Sequence, residues 1–166
     1  MLIVSDTTPI ISLIKVNRLD LLKTMFQEVI IPQAVYDELV SNLRFADEAD
    51  IVKNCDFLKV VSVYDTDTIT LLRETEKIDA GESEAIILSQ EHTADILLMD
   101  EHRGRQVAKR MGINIVGTIG ILLQAYDEKL LSRAEILDCL ECMQKNKIRI
   151  SKTLMEYVEN YILQDK

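Results

Sequence analysis

The stretch 2-LIVSDTTPIISL-13 decides the fold predicted for this chain. Its apolar start, residues 2–4, predicts a buried strand that is followed by Ser5 and Asp6. A helix can begin directly afterwards, because Thr8 is a suitable N-cap and Pro9 suits the first helical position. Because Thr8 supplies the cap, Asp6 at the carboxyl end of the strand is not needed to cap the helix. In an open α/β sheet that edge is where ligands bind, so Asp6 is the first candidate site residue.

A second stretch repeats this arrangement later in the chain. Residues 95–99, DILLM, lead into Asp100, and a helical pattern follows. The carboxyl ends of parallel strands meet at one edge of a sheet, so Asp6 and Asp100 are expected at the same edge. An acid at a strand end can also simply cap a turn, and that interpretation stays open for each residue.

Alternating strand-like and helical segments predict a three-layer α/β sandwich, with a parallel sheet of about five strands and helices on both faces. The predicted strands are residues 2–4, 28–31, 58–63, 95–99 and 113–116. The predicted helices are residues 9–16, 19–26, 33–43, 46–54, 67–77, 82–90, 104–111, 119–126, 132–145 and 152–163. Thr118, Ser132 and Ser151 are the predicted caps of the last three helices.

The length of 166 residues predicts a single domain over 1–166, with a sheet domain at 1–130 and extra C-terminal helices at 131–166 as an appendage. Hydrophobic residues make up 48% and charged residues 28% of the chain, which is typical of a globular protein. The longest apolar runs are too short to span a membrane, and no basic segment precedes the first of them. A cytoplasmic location is therefore expected.

The net charge of −9 argues against a nucleic-acid partner but does not exclude one. A cluster of catalytic carboxylates adds negative charge to any phosphodiesterase, and bound divalent cations reverse its sign locally. Cys139 and Cys142 lie three apart in a helical pattern, and a zinc site needs two more ligands. They are interpreted as small apolar residues on a helix face.

Further candidate carboxylates lie on the helices beside these strands. Glu82 shares a helical face with Ala85, Ile86 and Ser89, whereas Glu84 points nearly the opposite way. Glu82 is therefore the better inward candidate, although a solvated glutamate that complements the helix dipole is the simpler interpretation. Glu38 lies about two turns into the helix after the second strand, and that helix also has a charged side.

Several carboxylates at one sheet edge repel each other, and a hard divalent cation relieves this repulsion. All-oxygen ligands favour Mg²⁺ or Mn²⁺. The two histidines, His92 and His102, lack the paired spacing of a zinc site. A magnesium-like site is suited to activating water for in-line attack on a phosphodiester.

Four segments together resemble, in order and spacing, the PIN domain. They are LIVSDTTPIISL at 2–13, VIIPQAVYDEL at 29–39, DAGESEAIILS at 79–89 and ILLMDEHRGRQVAKRMG at 96–112. The similarity covers roughly residues 1–130 and is greatest to a branch of small prokaryotic PIN-like proteins of largely unassigned function, related to VapC-type toxins. It implies a parallel five-stranded sandwich whose carboxylates bind Mg²⁺ or Mn²⁺ and which cuts RNA, leaving a 5′-phosphate.

The resemblance also implies roles for particular residues, with Asp6, Glu38 and Asp100 matching three acids of the family. The family's remaining acid is an aspartate at a helix start. Gly-Glu-Ser-Glu stands there in this chain, so Glu82 is assigned the role, with Glu84 as the fallback.

Side chains that hold a ligand or a substrate are a second group of candidates. Thr7 or Ser5 is expected to hydrogen-bond a ligand carboxylate or a metal-bound water, and Arg103 and Arg105 are expected to hold a substrate phosphate. A basic stretch near the C-terminus can either track an RNA backbone or form ordinary solvated surface; it comprises Lys145, Lys147, Arg149 and Lys152.

The leading hypothesis is a metal-dependent endoribonuclease of the PIN type, with RNA as substrate. Toxin function would add an antitoxin protein as a partner, and exposed apolar helix faces would suit a homodimer. A phosphatase of the haloacid-dehalogenase kind needs a second aspartate two residues after Asp6, where Thr8 stands. A PIN-like module that binds RNA or protein without cutting remains the alternative, because aromatic residues for base stacking are sparse.

Overall fold

The computed structural model describes residues 1–164, which form five strands, ten α-helices and one short 3₁₀ helix. The strands are β1 (Ile3–Ser5), β2 (Val29–Pro32), β3 (Leu58–Val61), β4 (Ile96–Leu98) and β5 (Ile115–Val116). The first five helices are α1 (Thr7–Lys15), α2 (Asp20–Phe26), α3 (Gln33–Ser41), α4 (Ala46–Lys53) and α5 (Thr66–Glu76); the 3₁₀ helix, Leu43–Phe45, lies between α3 and α4. The others are α6 (Ala80–Glu91), α7 (His102–Arg110), α8 (Thr118–Asp127), α9 (Arg133–Lys145) and α10 (Lys152–Gln164). Within these residues, no helix combines the length and apolar character needed to cross a membrane.

All five strands are parallel and lie in the order β3-β2-β1-β4-β5, so β1 is the central strand. Ser5 pairs with Leu98 on β4. The ladder continues one residue further, because the Asp6 backbone N–H donates to the Leu98 carbonyl at 2.9 Å. The backbone of Asp6 is therefore fixed at the carboxyl edge of the sheet, between two neighbouring strands.

Two apolar clusters fill the space on either side of the sheet. Ile3 and Leu98 belong to the cluster that includes buried residues of α1, α3 and α8. Val4 and Leu97 point to the other face and pack with residues of α6 and α7. This alternation is the period of two that a pleated strand imposes. The predicted three-layer α/β sandwich is confirmed.

The C-terminal helices pack onto the sheet domain through the same cluster as α1 and α8. Ser132 and Glu135 form a reciprocal capping box at the start of α9, and the Ser151 hydroxyl accepts from the Leu154 N–H at 3.1 Å. These two predicted caps are confirmed. Cys139 and Cys142 lie on α9 as free thiols, the first of them buried.

Two other predicted caps are wrong. Helix α1 begins at Thr7, with Asp6 in the N-cap position, so Thr8 is the second helical residue. The helix starts early because the β1 ladder ends at Asp6 and the chain turns directly into α1. Gly117 occupies the N-cap position of α8, and Thr118 is its first residue.

Substitution of Leu98 by alanine is expected to lower the free energy of unfolding by about 2–5 kcal/mol, because it leaves a cavity under the central sheet. The Leu98 side chain is 0% exposed, whereas Leu43 is 90% exposed and provides a matched control. Leu43→Ala should change stability by less than about 0.5 kcal/mol. Urea unfolding of both variants measures this difference, and equal losses would contradict the packing described here.

Candidate active site

Asp6 is a buried carboxyl group at the carboxyl end of the central strand, with only 3% of its surface exposed. Burial, together with the negative charges of Asp79, Glu82 and Glu38, raises its pKa to about 8. A hydrogen bond from the Thr7 backbone N–H opposes these effects in part. In the metal-free fold the group is therefore mostly protonated at pH 7.

Asp79 is a neighbour of Asp6 that the sequence analysis did not single out as a candidate. The predicted helix 82–90 in fact starts at Ala80, with Asp79 as its N-cap. The Glu82 N–H donates to the Asp79 carboxylate at 2.8 Å, and the Asp79 N–H donates to the Glu82 carboxylate at 2.9 Å. The Asp-x-x-Glu spacing was the available signal, because it is that of a capping box.

Gly81 separates the carboxylates of Asp79 and Asp6. A methyl group on Gly81 would lie 3.4 Å from Oδ1 of Asp6 and 3.5 Å from Oδ1 of Asp79. Both carboxylates therefore lie in van der Waals range of the same backbone position. Among the neighbouring carboxylates, Asp79 raises the pKa of Asp6 the most.

Glu82 turns inward, as its position on the helix face suggested, and is 6% exposed. Its Oε1 is buried and has no hydrogen-bond partner within residues 1–164. Burial raises the pKa of this carboxyl. Glu84 instead accepts from the Ala34 N–H at 2.9 Å, at the start of α3. The structure therefore places Glu82, rather than Glu84, beside Asp6.

Glu38 is half-buried on α3, and its carboxylate is held by Thr7. The Thr7 hydroxyl donates to Glu38 Oε2 at 2.7 Å. This bond joins the first turn of α1 to the second turn of α3. Ser5 has a different role, because its hydroxyl donates to the Asp6 carbonyl at 2.9 Å.

Asp100 follows β4 at the same sheet edge but is turned toward α8. Its carboxylate accepts from the Thr118 N–H at 2.7 Å and from the Thr118 hydroxyl at 2.6 Å. A Cβ at Gly117 would lie only 2.8 Å from Asp100 Oδ1, so glycine allows this approach. Asp100 is not among the carboxylates with the largest effect on Asp6.

The four predicted acids therefore do not form a closed metal cage. Glu38, Glu82 and Asp79 each raise the pKa of Asp6, while Asp100 follows the adjacent strand and accepts hydrogen bonds from Thr118. Within the described part of the chain, no three acidic, histidine or cysteine side chains are close enough to hold one ion together.

The two predicted phosphate-binding arginines lie on α7, just beyond Asp100. Arg103 is exposed, its Nη1 donates to the Lys77 carbonyl at 3.3 Å, and its charge lowers the pKa of Glu82. Arg105 is half-buried, and its Nη1 donates to the Met99 carbonyl at 2.7 Å. Arg103 thus lies near Glu82, whereas Arg105 hydrogen-bonds the backbone of the residue before Asp100.

The protein is an all-parallel α/β sandwich with acidic residues at the carboxyl end of its central strand. A family model described as a PIN domain matches residues 2–161. The chain belongs to the PIN-domain family, and the match extends beyond residue 130 through α9 into α10. No curated protein and no solved structure matches the chain at a significant level. PIN domains are generally nucleases that use divalent metals, so the fold is of nuclease type.

Asp6→Asn is expected to stabilise the metal-free protein increasingly as the pH rises. The carboxyl has an ordinary pKa of 3.8 in the unfolded chain and about 8 in the fold. Between these values folding must protonate the group, so its contribution to stability falls with rising pH and the penalty is complete above pH 8. The asparagine variant lacks this penalty, which is on the order of a few kcal/mol.

Urea unfolding of wild type and Asp6→Asn at pH 5 and pH 8, in the presence of a chelator, measures the effect. The difference between the two proteins should be larger at pH 8. Asp138→Asn on exposed α9 surface is the matched control and should show no such trend. A stability difference that is independent of pH would contradict a raised pKa for Asp6.

Proposed function

We propose that the protein is a metal-dependent endoribonuclease of the PIN type, hydrolysing RNA phosphodiester bonds at the edge marked by Asp6. The observation that carries this proposal is the Asp6 carboxyl, buried at the end of the central strand, with the carboxylates of Glu38, Asp79 and Glu82 near enough to raise its pKa. Such a group is unfavourable without a counterion, and a hard divalent cation is the natural one.

The donor chemistry fits Mg²⁺ or Mn²⁺. The charged side chains with the largest effect on Asp6 are all carboxylates, and Glu82 Oε1 is a buried oxygen without a partner among the described residues. Mg²⁺ retains several waters and needs only one or two protein carboxylates, so a closed cage is not required. Asp6 and one neighbouring carboxylate would hold the ion directly, and the other acids would act on it through its bound waters. The neighbours are Glu38, Asp79 and Glu82, with Asp100 at the adjoining strand.

The remaining residues orient this group and the substrate. Thr7 fixes Glu38, and Thr118 fixes Asp100, in the way that outer hydrogen-bond partners position metal ligands. Arg103 is assigned to a substrate phosphate, because it is exposed and adjacent to Glu82. When bound, a divalent ion supplies charge neutralisation and an activated water for in-line attack.

We also propose that the nuclease is the toxin of a toxin–antitoxin pair and that the antitoxin protein inhibits it. The protein would then act in the cytoplasm, where its RNA substrate is found. Homodimer formation is a further part of the proposal and is supported by apolar side chains left exposed on helices, such as Leu71 and Leu163.

A non-catalytic PIN-like module that binds RNA or protein is the second candidate. Two observations favour it: Asp100 is already satisfied by Thr118, and no three ligating side chains lie together within residues 1–164. Metal-dependent hydrolysis distinguishes this module from the nuclease.

Purified protein incubated with labelled RNA and Mn²⁺ should release fragments that carry a 5′-phosphate. Asp6→Asn should lower the rate by roughly 100-fold or more, since loss of a ligand's supporting partner alone costs 10–100-fold. Asp138→Asn should retain full activity. Mn²⁺ should also raise the melting temperature of wild type more than that of Asp6→Asn, because binding to the folded state alone stabilises it.

Cleavage that survives both Asp6→Asn and a chelator would come from a contaminating nuclease and would leave the proposal without support. Absence of cleavage with Mg²⁺ and with Mn²⁺, in a protein that still binds RNA, would favour the non-catalytic module.

A further inference from the structure

Helix α9 presents a stripe of polar and sulfur-containing side chains to the end of α1. Glu135, Cys139, Cys142 and the C-cap residue Asn146 follow one another at helical spacing and share one face. The Cys142 thiol donates to the carbonyl of Lys15, the last residue of α1, at 3.3 Å. The stripe therefore contacts the C-terminal end of the helix that follows β1.

The two cysteines of this stripe differ in their exposure. Cys139 is 3% exposed and belongs to the same apolar cluster as α1 and α8, whereas Cys142 is half-buried and packs against that cluster. Both are free thiols. A reagent from solvent therefore reaches Cys142 first, and Cys139 is shielded one helical turn away. An accessible thiol beside a second, resolving thiol is the arrangement of a reversible redox site.

Arg18 supplies a positive charge beside the buried thiol. Its Nη2 pairs with Glu135 at 3.2 Å, and its Nε is buried without a hydrogen-bond partner in residues 1–164. Burial raises the pKa of the Cys139 thiol, and the charge of Arg18 opposes this rise. A thiolate at Cys139 would give the guanidinium a further anionic partner. Cys139 is therefore suited to act as a nucleophile inside the protein.

The spacing of the two cysteines allows a disulfide at the end of α9. Cα atoms three residues apart in an α-helix are separated by about 5 Å, and disulfides span about 4.4–6.8 Å. The Cβ atoms lie about 5–6 Å apart, whereas a disulfide needs about 3.5–4.5 Å. The last turn of α9, from Cys142 to Lys145, must therefore shift toward Cys139 by about 1–2 Å. The thiol hydrogen that binds the Lys15 carbonyl is lost in the same step.

We infer that Cys139 and Cys142 are a reversible redox site that reacts with small disulfides such as glutathione disulfide. The Cys142 thiolate attacks one sulfur of the reagent, forms a mixed disulfide and releases the first glutathione. The Cys139 thiolate then attacks the Cys142 sulfur and releases the second. Two protein thiols are oxidised to one disulfide, and one glutathione disulfide is reduced to two glutathione molecules, which take up the two protons.

This inference is independent of the nuclease proposal, because no acid of the candidate active site takes part in the exchange. Its structural consequence is confined to the contact between α9 and α1. In the reduced protein the Cys142 thiol binds the Lys15 carbonyl, and in the oxidised protein this hydrogen bond is absent. The redox state of α9 thereby acts on the helix that begins beside Asp6.

The test incubates the purified full chain with excess glutathione disulfide, alkylates the remaining thiols under denaturing conditions and measures the mass of the protein and its peptides. Wild type should lose two hydrogens and take one alkyl group, on Cys55. Excess reduced glutathione should then restore all three thiols. Cys55→Ser is the matched control and should form the same bridge, whereas Cys142→Ser should form none. Cys139→Ser should stop at a mixed disulfide on Cys142.

Arg18→Gln tests the role of the guanidinium. Closure of the bridge should slow by roughly 3–10-fold, because the thiolate fraction of Cys139 falls, and the mixed disulfide on Cys142 should accumulate. Arg73→Gln removes an exposed arginine from α5 and should leave the rate of closure unchanged. A merely structural role for Arg18 would expose Cys139 in the variant and speed closure instead.

Three results would overturn the inference: alkylation of all three cysteines after treatment, a stable mixed disulfide on Cys142 in wild type, or a bridge that includes Cys55 or a second chain. If a serine variant fails to fold, peptide mapping of oxidised wild type still identifies which cysteines are linked. A bridge between Cys139 and Cys142 in a protein that does not cut RNA would support this inference and leave the nuclease proposal without support.

Discussion

The burial of one carboxyl group, that of Asp6, is the constraint on which the candidate site depends. The strand ladder fixes its backbone through the bond to Leu98, and the side chain is buried at the N-cap position of α1. Neighbouring helices then bring Asp79, Glu82 and Glu38 toward it. Each of these carboxylates makes ionisation of Asp6 less favourable. A positive charge at this point would therefore stabilise the ionised form of the group.

Hydrogen bonds stabilise the negative charge of these acids in part and hold their side chains in fixed positions. Thr7 holds Glu38, Thr118 holds Asp100, and Asp79 and Glu82 hold each other's backbone N–H groups. These contacts fix the positions of the carboxylates, but they supply no cation. Arg103 contributes one positive charge near Glu82, and the uncompensated remainder is what a divalent ion would neutralise.

The sequence predicted most of the fold because its signals were local. Strands such as residues 28–31 and the capping box of Ser132 and Glu135 depend on neighbouring residues alone, and both are present. The inward direction of Glu82 followed from helical spacing. By contrast, Thr8 and Thr118 are suitable caps in isolation, but the length of β1 and the approach of Asp100 to Gly117 decide where α1 and α8 begin. Such tertiary effects override local preference.

The same distinction applies to the site. The position of Asp6 and Asp100 at one sheet edge followed from the strand pattern, whereas the turn of Asp100 toward α8 required knowledge of β5 and Gly117. Asp79 was missed because the helix was started at Glu82, although the Asp-x-x-Glu spacing was visible. The members of the C-terminal basic stretch could not be told apart before α9 and α10 were known. Lys145 and Lys152 pair with Glu141 and Glu156, whereas Lys147 and Arg149 form no ion pair within residues 1–164.

The central claim is that a divalent ion and a proton compete for the acidic group around Asp6. Calorimetric titration of Mn²⁺ into the metal-free protein at pH 7, in two buffers of different ionisation enthalpy, measures both binding and proton release. Because Asp6 has a pKa of about 8 without metal, about one proton should be released per ion bound. Binding without proton release, or no binding, would contradict the account.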